Sequence, residues 1–306
     1  MGRLPAAELT ERPPVQTTLW TQRNLTFPGA SAEERERHAV AHLSQALTEL
    51  RERGLTLRWW FVRKGAWRIR YQLTDSATDL RERGLTTRWP VRKDIWRFLH
   101  SITGSAIGFL HDPVHPALTA GLPWTRDIYE PETHAFGGPE SMALAHELFC
   151  RDSSFLLPYL ATDPADRRER SLVLFTALMR AAGLDTNEQG DVWAQVAQYR
   201  PAASTESVDP HTWAAFTADV GHLLRGTPRA GTVDPNWLVA FTHTGNSLKS
   251  LREQGLLTRG IRAIVTLHVI FAWNRLGLTA PTQASLATAA KEAIFGAAPG
   301  TNAVLT

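Results

Sequence analysis

Leu55–Leu73 reads LTLRWWFVRKGAWRIRYQL. Apolar side chains take every second place in its first half (Leu55, Leu57, Trp59, Phe61) and again in its second (Trp67, Ile69, Tyr71, Leu73), with Lys64-Gly65 between the two. A period of two is the strand signal, and two such runs about a short turn read as an antiparallel β-hairpin. On its second strand Arg68, Arg70 and Gln72 fall on the face opposite the apolar one. Just upstream, Val15–Phe27 (VQTTLWTQRNLTF) reads as a further strand. Between them Ser31 caps a helix with Glu33 and Glu34 in its first turn. Val40, Leu43, Leu47 and Leu50 recur at helical spacing, and Gly54 ends it.

Downstream the period changes to that of helices. Pro139 suits a first helical position, and Met142, Ala145, His146 and Phe149 form one stripe behind it. Helices are predicted over about Ala165–Ala182, through Val192, Trp193, Val196 and Tyr199 up to Pro201, behind an Asp234-Pro235 cap, from Ile261 to about Leu278, and from about Thr282 to Phe295. Ala202–Pro210 reads as a loop. Strands come early and helices late, without βαβ alternation, so the expected class is α+β: an N-terminal antiparallel sheet with a hairpin, then a mainly helical part. A single domain over 1–306 is expected, strand-rich over about 15–125 and helical over about 126–306. LRERGLT occurs at Leu50–Thr56 and again at Leu80–Thr86, each copy followed by RW, VRK and WR. Two copies are too few for a solenoid. Pro90 interrupts the second copy where the first reads as strand.

Composition excludes several function classes. Basic and acidic residues number 33 and 30, for a net charge of +3, too even a balance to expect nucleic acid or an anionic membrane as partner. Only Lys64, Lys93, Lys249 and Lys291 are lysines, so nearly all the basic groups are arginines, whose planar fork suits carboxylates and carbonyls. Cys150 is the sole cysteine, which fits a reducing compartment, and no Cys/His spacing resembles a zinc site. The opening MGRLPAAELTERPP lacks a basic and then apolar signal, so a cytoplasmic location is expected. The apolar run at Ile261–Leu278 carries Arg262, His268 and Arg275 and reads as a core helix, not a membrane span. No GxGxxG, P-loop or GxSxG motif is present. Eleven tryptophans serve either a core or a wide groove that stacks on heterocycles and extended peptide.

Five segments carry a family resemblance: LWTQRNLTFPG (19–29), WWFVRKGAWRIRY (59–71), IYEPETHAFGGPESMALAHELFCRDSS (128–154), RRERSLVLFTALMRAAGLDTNEQGDVW (167–193) and LTRGIRAIVTLHVIFAWNRLGL (257–278). Together and in this order they resemble the thiopeptide-type bacteriocin biosynthesis family, homologous to the elimination domain of class I lantibiotic dehydratases. The stretch 74–122 matches poorly. The resemblance implies an elimination-domain-like fold and a leader-bearing precursor peptide, with dehydroalanines and azoles, as substrate. Other enzymes of the pathway are implied as further partners, and no cofactor or metal is needed. It allows two activities, glutamate elimination from glutamylated Ser or Thr and the [4+2] cyclisation of two dehydroalanines to a pyridine. A peptide-binding partner without activity is a third possibility.

The elimination family's strand H-L-R-L-R reads AWRIR here, with Arg68 and Arg70 kept and Ala66 at the histidine. The turn reads HAFGG, with His134 and Ala135 where an arginine is expected. The last motif reads VIFAWNR, with Asn274 and Arg275 kept but Ile270 and Ala272 at the histidine places. These departures thin the carboxylate clamp and favour the cyclase. Cyclisation requires one amide to become its imidic-acid tautomer, giving a 2-azadiene that adds to the second dehydroalanine, followed by loss of water and of the leader as an amide. Tyr129, Glu130 and His134 are the expected proton-handling groups; a structural turn and a surface histidine are their alternative roles. Arg68, Arg70, Trp60, Ser153, Trp273, Asn274 and Arg275 are the expected substrate contacts, with ion pairing, capping and core packing as the alternatives. His146 falls on an apolar stripe and reads as a satisfied core histidine. The hairpin edge is a candidate to accept the leader as an added strand.

Overall fold

The structure is a computed structural model that describes residues 20–73, 112–201, 209–226 and 233–296. The second LRERGLT copy with Pro90, the first residues of the 15–27 strand and most of the Ala202–Pro210 loop lie outside them.

Four strands form one antiparallel sheet in the order β2-β3-β1-β4: β1 (Thr21–Leu25), β2 (Leu57–Lys64), β3 (Ala66–Leu73) and β4 (Trp124–Ile128). The hairpin forms as its alternation dictates, with Lys64 opposite Ala66 across Gly65, whose φ of +75° suits glycine. β4 escaped the sequence reading. It is an edge strand exposed at every residue, so WTRDI carries no apolar alternation. It also straddles the boundary expected between the strand-rich and helical parts.

Cross-strand register decides which side chains share a face. Trp60, Arg70, Gln22 and Asp127 stand in one row across the sheet; Phe61, Ile69, Arg23 and Arg126 form the next row, on the other face. Both faces are covered. Helix α1 (Ala32–Glu52), capped as expected by Ser31, reaches one face through Phe27, whose ring meets both His42 of α1 and Trp67 of β3. Short α2 (His115–Thr119), not foreseen, joins the same side: Arg23 pairs with Asp112 at 3.0 Å and donates to His115 Nδ1 at 3.2 Å.

The opposite face meets the helical half. Helix α3 (Pro139–Leu160) packs on β2, and Ser153 accepts a hydrogen bond from the Phe61 amide at 3.4 Å, closing part of the outer hairpin edge. Helices α4 (Arg167–Ala181), α5 (Thr186–Tyr199), α7 (Pro235–Glu253), α8 (Ile261–Leu276) and α9 (Ala280–Phe295) match the periodicity, whereas α6 (Pro210–Arg225) was not foreseen. α8 lies at the centre, against α3, α4, α5, α7 and β2, which explains its apolar character all round. Thr258 N–H bonds to Gly137 O at 3.0 Å, pinning the loop before α8 to the turn before α3. Gly137 has φ +84°, and a Cβ there would collide with Ile264. Among the described residues no helix is long and apolar enough to cross a membrane.

Candidate functional site

Where β2 and β3 meet α3, the sheet row Trp60–Arg70–Gln22 faces Tyr129, just past β4, and His146 of α3. Arg70 is buried, and its guanidinium carbon lies 3.9 Å from the Tyr129 ring centre and 4.3 Å from that of Trp60. Nε of Arg70 donates to Gln22 Oε1 at 2.7 Å, and Gln22 Nε2 donates in turn to Asp127 at 2.8 Å. Nη1 of Arg70 and the indole N–H of Trp60 have no partner among the described residues. Burial brings the Arg70 guanidinium down to about 10, so it stays charged at neutral pH.

The Tyr129 hydroxyl and His146 Nε2 are 2.8 Å apart. Burial, then Arg58 and Arg70, push the imidazole down to about 4 and hold it neutral. Burial, then the Glu132 charge, raise the Tyr129 phenol, so it stays protonated and is the donor. Trp20 packs on His146 at 4.9 Å and edge-on to Trp60 at 6.2 Å. The arrangement is one aromatic-walled cluster with the buried Arg70 guanidinium, a second guanidinium of Arg58 over the Trp20 ring at 5.6 Å, a neutral imidazole and a phenol. It can donate hydrogen bonds and relay a proton between Tyr129 and His146, and partly exposed Trp20 offers a ring for stacking.

Phe149 of α3 continues this wall. It meets Trp60 at 4.8 Å on one side, and on the other Arg275 at 4.7 Å and the ring of His268 at 5.9 Å, both on α8. Arg275 is fully buried, and its Nε bonds Asp152 Oδ2 at 2.7 Å.

Of the residues singled out from sequence, Arg70, Trp60 and Tyr129 come together, and Arg275 lies behind Phe149. Arg68 is half-buried beside them on the same sheet face. The others separate. Glu130 and His134 are exposed, and the carboxylates that face Arg70 electrostatically are Glu132 and Asp127. Ser153 is used up by the Phe61 amide. Trp273 does not line the cluster: it is fully buried, stacked on Trp193 and bonded to Ser171 at 3.0 Å. Asn274 accepts from Gln283 of α9 at 3.2 Å. His146, Gln22 and Trp20 were missed as site residues. His146 sits on an apolar stripe, as a core residue does, while Gln22 and Trp20 belong to a strand whose pairing sequence alone does not show. An open groove of about 530 Å³ lies elsewhere, lined by Glu188, Arg252 and Leu257–Arg262. Among the described residues no cluster of His, Cys, Asp and Glu suits a metal ion.

A family model described as "Lantibiotic biosynthesis dehydratase C-term" matches residues 20–294, and the chain belongs to that family. Two solved structures resemble it. The pyridine synthase TbtD from thiomuracin biosynthesis aligns with a TM-score of 0.52 at 14% identity, over 90% of this chain and 97% of TbtD. The tRNA-dependent lantibiotic dehydratase MibB from Microbispora sp. 107891 aligns with a TM-score of 0.48 at 16% identity, over 94% of this chain. The chain spans 29% of the length of MibB. No curated protein matches this chain.

Proposed function

We propose that the chain is a pyridine-forming [4+2] cyclase, one elimination-domain-like domain over 1–306 that acts in the cytoplasm on a leader-bearing precursor peptide with two dehydroalanines. The observation that carries this reading is the setting of Arg70: its buried guanidinium sits in the corner between the perpendicular rings of Tyr129 and Trp60, with Nη1 unpartnered among the described residues, near a neutral His146. A glutamyl carboxylate calls for paired arginines. Here position 135 is alanine, and Nη1 of nearby Arg259 is tied to the Ala135 carbonyl at 3.0 Å. A neutral, azole-rich peptide suits the site better. Partly exposed Trp20 stacks on heterocycles with buried Trp60 packed behind it, Arg70 holds a peptide carbonyl, and Tyr129 passes a proton with His146 behind it. Holding two ends of one peptide in contact supplies most of the acceleration, up to roughly 7–11 kcal/mol. The reaction so written uses no cofactor or metal.

The test is mass spectrometry of a synthetic leader-bearing peptide with two dehydroalanines after mixing with the purified protein. Loss of water and of the leader as an amide, with a new pyridine absorbance, is the expected result. An unchanged mass overturns the cyclase; loss of glutamate from a glutamylated peptide would then establish a lyase, and no change with either would leave a binding partner.

A further inference from the structure

Two hollows on the helical half join into one open trough that the proposed function does not use. The groove of about 530 Å³ at Arg252, Leu257 and Arg259 shares Gly260 and Arg262 with a second, of about 420 Å³, that runs on along α5. One wall is α5, where Glu188, Asp191, Gln195 and Gln198 recur at helical spacing and so share a face. The other wall is the end of α7 and the loop into α8. The carboxylates of the trough are already engaged. Asp191 pairs with Arg262, and Glu188 accepts from the Asp185 amide at 3.0 Å in the cap of α5. Exposed Arg252 and half-buried Arg259 have no ion-pair partner among the described residues, although Glu253 beside Arg252 pairs with Lys249. Arg259 donates Nη1 to the Ala135 carbonyl at 3.0 Å and has its other nitrogens left over.

We propose that this trough docks an acidic stretch of the peptide substrate, with carboxylates at Arg252 and Arg259 and the main chain running along Gln195 and Gln198. Charge and shape select that occupant. Two guanidinium groups without carboxylates of their own favour an anionic side chain, which their planar forks can grip. Glu188 and Asp191 stand in the same trough and repel a nucleic acid, whose backbone carries a charge at every step. A small carboxylate would leave the length along α5 empty. The two glutamine amides each offer a donor and an acceptor, which a peptide main chain needs. Part-buried Leu257 adds an apolar patch for a side chain between the charges.

The choice of the substrate as occupant rests on the proposed function, and the position of the trough supports it. Its loop is pinned twice to the turn before α3, by Thr258 N–H on Gly137 O at 3.0 Å and by Arg259 on Ala135 O. From Pro139, where α3 starts, to His146 is about 10 Å of helix, which three or four extended residues cover, roughly 3.3 Å each. One peptide can therefore hold the trough by its acidic stretch and present a neutral, dehydroalanine-bearing part to Arg70 and Tyr129. Anchoring at the trough makes the second contact intramolecular and raises the effective concentration of the reacting part.

The probes are two fluorescein-labelled synthetic peptides with two dehydroalanines, one preceded by alternating glutamate and leucine, the other by glutamine and leucine in the same places. Each is titrated into the full-length protein and followed by fluorescence anisotropy. The glutamate peptide is expected to bind about 10-fold tighter than its glutamine counterpart, and Arg252→Glu, on an exposed side chain, is expected to abolish that advantage. Arg37→Glu, equally exposed but on α1, is expected to keep it. Equal binding of the two peptides, Arg252→Glu within twofold of wild type, or the same loss in Arg37→Glu overturns the docking site. In turnover of the glutamate peptide, Arg252→Glu is expected to raise KM about 10-fold; an unchanged KM overturns the substrate as occupant. If the wild type converts neither peptide, the cyclase has failed on its own, and the anisotropy still decides whether the trough docks an acidic peptide.

Discussion

Arg70 shows how much one side chain can depend on its shape. Its planar group sits in the corner formed by two perpendicular rings, with Nε spent on Gln22 and Nη1 without a partner among the described residues. A lysine keeps the charge but loses the stacking and the fork. Arg70→Lys is therefore expected to lower kcat/KM on the two-dehydroalanine peptide roughly 10- to 100-fold, with Arg68→Lys near wild type; equal effects in steady-state kinetics would show that Arg70 holds no privileged place. Tyr129→Phe removes the partner of His146 and is expected to cost about 1 kcal/mol in urea denaturation, besides slowing turnover. At this scale the sequence was legible where a motif fixes a strand face. The alternation of AWRIR sets Arg68 and Arg70 on one side, and register makes Trp60 of β2 the neighbour of Arg70. It was illegible in IYEPETHAFGG, where nothing in the order of residues shows that the chain dips inward at Tyr129 and turns out again at Glu130 and His134. Trp273 misled for a similar reason: adjacency to Asn274 and Arg275 says nothing of direction on a helix that is buried all round.

Elements were legible in proportion to how one-sided their burial is. Helices α1 and α3 each hide one face and leave a clean period, while β3, covered on both faces, still alternates because Arg68, Arg70 and Gln72 oppose Trp67, Ile69, Tyr71 and Leu73. β4 hides neither face, and α6, with only Val220, Gly221 and Leu224 buried, shows a thin stripe. The helical half is set by two close junctions. The first is the Arg275–Asp152 pair joining α8 to α3, both partners almost wholly buried. Asp152→Asn leaves a buried guanidinium uncompensated and is expected to cost roughly 3–5 kcal/mol in denaturant midpoint experiments; a loss below 1 kcal/mol would mean that solvent reaches the pair. The second is the crossing of α7 on α4 at Gly245, where a Cβ would run into the Leu178 carbonyl and the Ala181 side chain. Gly245→Ala is expected to destabilise by about 1–3 kcal/mol although alanine favours helix, because the obstacle is backbone and cannot rotate away. A more stable variant would show that the two helices can separate without loss.

For the molecule as a whole, the same neutral histidines that define the site also set how stability depends on pH. His146 and His268 are held near 4 and 3, well below the ordinary value of 6.5, in each case first by burial and then by neighbouring guanidinium charge. Depressed imidazoles mean that between those values and 6.5 the unfolded chain binds protons that the folded chain refuses. Their contribution is therefore complete above pH 6.5 and drains away as pH falls toward 4. Each contributes a slope of about 1.4 kcal/mol per pH unit within that window, so roughly 2–3 kcal/mol apiece is lost between pH 7 and 4.5. The lowered carboxylates Glu36 and Asp166 act in the same direction, but their window begins near their ordinary values of 4.5 and 3.8, which leaves the range above 4.5 to the histidines. Urea unfolding at pH 7, 6, 5 and 4.5 is expected to show a steep acid loss in the wild type, reduced by about one proton's worth of slope in His146→Phe and by another in His268→Phe. A flat wild-type profile would mean that water or an anion reaches both rings and lets them charge. The aromatic packing around Phe149, which touches both rings, would then be open to solvent.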